Sequence, residues 1–137
     1  MSEGWCNEDY LVLFSTEESE ERSRKYKVHE YLPGYRAIGL KSWDDFIVMN
    51  EAGALFTAPT VPLVPRYLKP FSMPVLPSLN ADARFFGKIK WYIKPVVFGG
   101  DPNAGENVTW LNHEQHCLAV AWWNEQFKAH TSGGGNA

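Results

Sequence analysis

Apolar residues come first in short runs bounded by turn formers, then in a proline-broken segment, and last at helical spacing. Tyr10 to Phe14, Y-L-V-L-F, is an unbroken apolar run with the length and character of a central strand. A segment dominated by charge follows. Ser15 with Glu18 three residues on is a capping box, in which hydroxyl and carboxylate each satisfy a free amide at a helix start, and a helix from Thr16 to about Tyr26 is expected. The acids Glu17, Glu18, Glu20 and Glu21 precede the bases Arg22, Arg24 and Lys25. That order complements the helix dipole and sets Glu18–Arg22, Glu20–Arg24 and Glu21–Lys25 four residues apart. A solvated helix held by local pairs explains the pattern without a partner. Met1 to Asp9 shows little periodicity, with Trp5 its one anchor.

From Tyr31 to Met49 the rhythm becomes that of paired strands. Pro33 fixes φ for the second position of a turn and Gly34 tolerates the positive φ that comes next, so Leu32 to Tyr35 reads as a β-turn. A strand starts there, with Tyr35 and Ala37 pointing one way and Arg36, Ile38 and Leu40 the other. A polar turn over Lys41 to Asp45 leads into the apolar run Phe46 to Met49, which completes a hairpin. Asn50 to Gly53 makes another tight turn, and Ala54 to Ala58 adds a third antiparallel strand.

Then the pattern breaks. Pro59, Pro62, Pro65, Pro70, Pro74 and Pro77 allow neither a helix nor an interior strand, so Pro59 to Leu79 is expected to be extended and irregular. Val61, Leu63, Val64, Leu68 and Phe71 make it too apolar for a free linker, which predicts a strap packed over the sheet. Asn80 to Arg84 suggests a turn of helix. Lys88 to Val97 alternates basic and apolar positions as an edge strand does, with Ile89, Trp91 or Tyr92, and Ile93 inward and lysines outward, until Pro95 ends it. Phe98 to Asn107 is a turn: it lacks the lysine and hydroxyl of a phosphate loop and the ligand spacing of a calcium loop. The clearest helix comes last, from His113 to about Lys128, with Asn112 as N-cap and Gln115 at the capping-box position. His116, Val120, Trp123 and Phe127 share its core face, Leu118 and Trp122 widen that face, and Glu114, Glu125 and Lys128 take the wet side.

These elements describe one α+β domain over residues 1–130. Its antiparallel sheet is flanked by helices and carries a proline-rich strap and a C-terminal packing helix, with a flexible tail at 131–137. A chain of 137 residues buries a core without disulfides or metals. The aromatic share of 15%, with six Trp, exceeds what one small core needs and leaves aromatics for the surface. A net charge of −3 gives no drive toward nucleic acid or membrane. Cys6 and Cys117 form no metal or redox spacing and suit a reducing cytoplasm, although a disulfide between them stays open. No basic segment precedes an apolar run at the N-terminus, and no window has the length to span a bilayer, so a soluble cytoplasmic protein is expected.

Over Trp5 to Pro65 the order of elements resembles the SUKH superfamily, in the branch of the fungal cell-wall synthesis regulators. The residues that carry this are the Tyr10 to Phe14 strand, the charged helix ending at Tyr26, Leu32-Pro33-Gly34-Tyr35, the strand ending Ile38-Gly39, and the apolar strand that follows. Bacterial members of that superfamily include many immunity proteins. The resemblance therefore implies a protein-binding module that neutralises a toxin by occlusion, without catalysis, cofactor or metal. It also places the partner site at the turn after Ile38-Gly39, at the end of the sheet. Here that turn holds Trp43, Asp44 and Asp45. Trp43 has two fates: it folds back onto the core, or it stands out as an interface anchor ringed by charge.

Two further readings stay beside this one. A structural or assembly protein would use the proline strap and the glycine tail as inter-subunit arms. A small metal-dependent hydrolase would use His113, His116 and Cys117, which lie on adjacent helical turns but supply only one close ligand pair. The sequence has no glycine-flanked serine elbow and no cysteine in a basic setting, and Asp44 and Asp45 stand side by side in a turn, so no catalytic group is expected. Lys88, Lys90 and Lys94 interleave with Trp91 and Tyr92 as a nucleic-acid stacking platform would, against the acidic net charge and the ordinary use of lysine on an edge strand.

Overall fold

The computed structural model describes residues 2–73 and 79–135. Six antiparallel strands form one sheet in chain order: β1 (Ser2–Cys6), β2 (Asp9–Leu13), β3 (Tyr35–Lys41), β4 (Asp45–Asn50), β5 (Leu55–Pro59) and β6 (Lys69–Pro70). Helix α1 (Thr16–Lys25) and the single turn α2 (Val28–Tyr31) join β2 to β3. A separate ribbon pairs β7 (Ile89–Tyr92) with β8 (Val108–Leu111), and helix α3 (His113–Gly135) packs on that ribbon and on α1. The protein is thus an α+β domain. Between its helices and the sheet lie Tyr10, Val12, Tyr26, Val28, Ala37, Leu40, Phe46, Val48, Leu63, Ile89, Cys117 and Val120, all buried. Leu11 and Ile47 are buried outside this cluster.

The predicted turns form with the predicted chemistry. Ser15 and Glu18 close the capping box, and Glu18–Arg22 and Glu21–Lys25 pair along α1. The Tyr35 amide donates to the Leu32 carbonyl at 3.1 Å across Gly34, whose φ is 85°. The Asn50 carboxamide accepts from the Ala52 and Ala54 amides in the β4–β5 turn.

Side-chain direction in β3 differs from simple alternation. A bulge between Ala37 and Gly39 leaves Ile38 without a partner on β4, so Ala37 and Leu40 both face the core instead of opposite sides. Helix α1 holds the bulge. The Ser23 hydroxyl accepts from the Ala37 amide at 2.9 Å, and the Ser19 hydroxyl donates to the Ala37 carbonyl at 2.6 Å. These two serines, four apart in a helix of charges, are its buried face. Gly39 lets β2 pass close, since a Cβ there would meet the Val12 carbonyl oxygen at 2.5 Å.

Four further expectations are corrected. Residues 2–6 form a strand although they show no periodicity, because they pair residue for residue with β2 in a hairpin, from Ser2–Leu13 to Cys6–Asp9, with Trp5 also bridging to Asn80. Asn80 to Arg84, expected as a turn of helix, forms none: Asn80 bridges to Trp5, and non-helical turns follow through Gly87. Helix α3 continues past Lys128 to Gly135, since Ala129, His130 and Thr131 carry no breaker and the Thr131 hydroxyl donates to the Phe127 carbonyl at 2.8 Å. The core face of α3 is also narrower than expected. At about 100° per residue, Leu118 and Trp122 lie opposite Val120, and they are 65% and 56% exposed. Trp123 is half-buried against Phe98 and Trp122, so the fully buried Val120 is the deepest apolar anchor of α3.

The proline segment packs as a strap, with Leu63 buried, but it also pairs Lys69 and Pro70 onto β5 as a short edge strand. Pro74 and Pro77 lie outside the described residues. Buried Asn124 of α3 pins the strap, donating to the Thr60 carbonyl at 2.8 Å and accepting from the Leu63 amide at 2.9 Å. Asn124→Ala strands both backbone groups in the interior, which costs on the order of 2–4 kcal/mol. Guanidinium-induced unfolding measures this, and a loss below about 0.5 kcal/mol, the range of ordinary surface substitutions, would mean that the clamp is not what holds the strap.

Candidate functional site

The turn from β3 to β4 is tightly wound. Ser42 and Trp43 adopt φ of 47° and 64°, a left-handed conformation that a bulky residue keeps only where packing holds it. The Ser42 amide donates to the Tyr10 carbonyl at 2.7 Å, and the Thr60 amide to the Asp44 carbonyl at 3.0 Å. Trp43 stacks on Tyr10 at 4.8 Å and meets Trp5, Phe85 and Trp110 edge-on at 6.1, 5.2 and 5.2 Å. It is 8% exposed. Of its two fates Trp43 takes the first: it caps the core and is not available as an interface anchor.

Folding the indole inward leaves Asp44 and Asp45 on the other side of the turn, where they meet β7. The Lys90 ammonium lies 3.0 Å from the Asp44 carboxylate and 3.1 Å from the Tyr92 hydroxyl, which itself donates to Asp44 at 3.3 Å. Burial works against the charge on Lys90, but Tyr92 and Asp44 outweigh it and hold its pKa above the ordinary value. Asp45 makes no hydrogen bond or ion pair among the described residues, although Lys41, opposite it on β3, and Lys69 attract its charge. Burial, followed by the neighbouring Asp44 charge, raises its pKa. Both aspartates line a cavity of about 220 Å³ whose walls include Thr60, Val61, Trp91, Tyr92 and Val96.

Comparison with protein-family models, with curated proteins and with solved structures gave no match.

The helix residues weighed for metal chemistry are buried in the core or against it. His116 is fully buried, with Nδ1 at 2.6 Å from the Tyr26 hydroxyl and Trp91 edge-on to its ring. Burial and the nearby His113 depress its pKa to about 3. Burial likewise raises the Cys117 thiol. Cys6, on β1, and Cys117 are both free thiols. Among the described residues no three His, Cys, Asp or Glu side chains converge as metal ligands. No described helix is long and apolar enough to cross a membrane.

The basic strand is also rearranged relative to its reading as a platform. Trp91 turns into the core at 8% exposure and Lys90 is held by Asp44, so these two do not form a stacking surface, while Ile93 lies beyond the strand and 54% exposed. Large apolar side chains face water elsewhere. Leu118 and Trp122 share the outer side of α3, Trp122 packs edge-on against Trp123 at 4.8 Å, Trp123 meets Phe98 at the same distance, and Val96 and Val97 beside Phe98 are 50% and 42% exposed. This apolar band ends at Val96, on the rim of the cavity. The helical angle of Leu118 and Trp122 against Val120 is the sequence signal that could have found it.

Proposed function

We propose that this chain is a non-catalytic protein-binding module, an immunity protein that neutralises a toxin by covering its active surface. What carries the reading is the exposed apolar band from Leu118 and Trp122 through Trp123 and Phe98 to Val96. Large aromatic and aliphatic side chains on one surface, with charged groups at its margin, are the usual make-up of an interface core. The resemblance of the first half of the chain to the SUKH superfamily supports the same reading. The band replaces Trp43 as the contact centre, while Asp44 and Asp45 keep a place at its edge.

Co-expression with a candidate toxin, sought among the products of neighbouring genes, tests the reading. The wild-type chain should co-purify with that toxin. Trp122→Ala should weaken the complex by at least about 2 kcal/mol, roughly 30-fold, while an exposed side chain of this kind leaves the melting temperature within a few degrees. Unchanged affinity in Trp122→Ala would remove the band as the interface. A large stable homo-oligomer whose assembly needs Trp122 would favour the assembly protein instead.

A further inference from the structure

The cavity walled by Thr60, Val61, Trp91, Tyr92 and Val96 holds hydrogen-bond donors that the fold leaves unused. Thr60 has both backbone groups engaged, its amide by the Asp44 carbonyl at 3.0 Å and its carbonyl by the Asn124 side chain at 2.8 Å, but its hydroxyl makes no hydrogen bond among the described residues. The indole N–H of Trp91 makes none either. Unlike the unpartnered ring nitrogens of Trp43 and His116, these two groups are not sealed from solvent. Thr60 and Trp91 are only 5% and 8% exposed, and the opening that both border is this cavity, so both donors are turned into it. The charges nearby are already balanced. Lys90 lies 3.0 Å from Asp44, which also accepts from Tyr92, and Asp45 stands opposite Lys41 on β3 with Lys69 acting on it too. An ion gains little here.

These features narrow the occupant. It must bring acceptors, since an indole N–H only donates, and donors of its own would compete with Lys90 and Tyr92 for the Asp44 carboxylate. Pro59, Val61, Pro95 and Val96 line the remaining wall and favour a hydrocarbon surface. About 220 Å³ falls below the roughly 300 Å³ at which sites for whole small-molecule ligands begin, so the space suits one residue of a longer chain. Proline meets each condition: an apolar ring, a carbonyl that accepts, and no N–H to leave unpaired. We propose that the cavity receives a proline from an extended segment of the protein partner, its ring against Val61, Val96 and Tyr92, and the segment's carbonyls accepting from the Trp91 indole and the Thr60 hydroxyl. This rests on the protein-binding reading above and names the chemistry of one partner segment. Proline-rich segments are extended before they bind, so little conformational freedom is lost on docking, and aromatic-lined grooves are the surfaces that recognise them. Val96, 50% exposed, belongs both to the cavity wall and to the apolar band, so a partner seated on the band brings such a segment to the cavity without a separate contact surface.

The test titrates the protein with acetyl-Pro-Pro-Pro-amide, and with acetyl-Ala-Ala-Ala-amide as a control of the same length that has no ring and more N–H groups. Binding is followed by the NMR signal of the Trp91 indole N–H and by the amides of Thr60, Val61 and Val96. Saturable shifts with the proline peptide, a downfield movement of the Trp91 indole proton, and at least about tenfold weaker binding of the alanine peptide are expected. Thr60→Val keeps the side-chain shape and removes a hydroxyl that the fold does not use, so this variant should fold normally and bind the proline peptide about fivefold more weakly. Val96→Trp, which adds bulk at the rim, should block the peptide and serves as an independent variant. Equal binding of the two peptides, undiminished binding to both variants, or no saturable shift, as when water alone fills the cavity, overturns the inference. Those outcomes leave the protein-binding reading standing if Trp122→Ala still breaks the toxin complex. A proline peptide that binds as expected, with toxin affinity unmoved by Thr60→Val, also overturns the inference, because the partner then does not use the cavity.

Discussion

Replacing Trp43 by alanine is expected to lower the free energy of unfolding by about 3–5 kcal/mol, a large share of the roughly 5–15 kcal/mol that holds a domain of this size. The indole is enclosed by Trp5, Tyr10, Phe85 and Trp110, and its removal leaves a void that four aromatic rings on separate segments cannot close. The backbone adds a sharper test. At φ 64° alanine is strained and glycine is not, a difference of about 1 kcal/mol, so Trp43→Gly should be no less stable than Trp43→Ala although it removes one carbon more. Urea unfolding of the two variants measures both statements. A Trp43→Ala protein as stable as wild type would put the indole outside the core, and a glycine variant clearly weaker than the alanine variant would contradict the strained turn.

Stability should also fall steeply as pH drops from about 6.5 towards 4. Burial, with Arg22 next, depresses the pKa of His113 to about 4, and burial, with His113 next, depresses that of His116 to about 3. The unfolded chain protonates both near pH 6.5. Between those limits the unfolded state binds more protons than the folded one, so acid favours unfolding, by up to about 1.4 kcal/mol per pH unit for each histidine. Above pH 6.5 both states are neutral at these positions and the dependence vanishes. The lowered carboxylates Glu18 and Glu21 add their own loss only below the ordinary carboxylate range, and the raised Asp45 acts in the opposite sense. Denaturant midpoints at pH 7.5, 6.5, 5.5 and 4.5 are the measurement. A flat profile would show that the folded protein accepts these protons readily, and His116→Gln should remove much of the slope if His116 carries it.

How far the sequence reveals this molecule depends on how local each cause is. The capping box at Ser15 and Glu18, the turn at Pro33 and Gly34, and the Asn50 turn are written in neighbouring residues, and they form as read. β1 is not legible because Ser2 to Cys6 carries no apolar alternation and takes its strand form from pairing with β2, and the bulge at Ile38 is set by serines on a different element. At the site, Asp44 and Asp45 are visible in the sequence as a polar turn. Their surroundings are not, because Lys90, Tyr92 and Val96 arrive from a ribbon whose second strand, β8, carries no clear pattern of its own. The exposed band was within reach of the sequence, since the angle between Val120 and Trp122 on a helix is fixed by spacing alone.

The central proposal for this chain is that it covers the working surface of a toxin through α3 and its neighbours. Titrating the activity of a toxin that co-purifies with this chain, with purified wild-type protein and with Trp122→Ala, tests that most directly. Wild type in excess should abolish activity, and with the toxin held below the dissociation constant Trp122→Ala, its melting temperature retained, should need a concentration roughly 30-fold higher for half-inhibition. Half-inhibition by both proteins at the same concentration, or none by the wild-type chain, would contradict it.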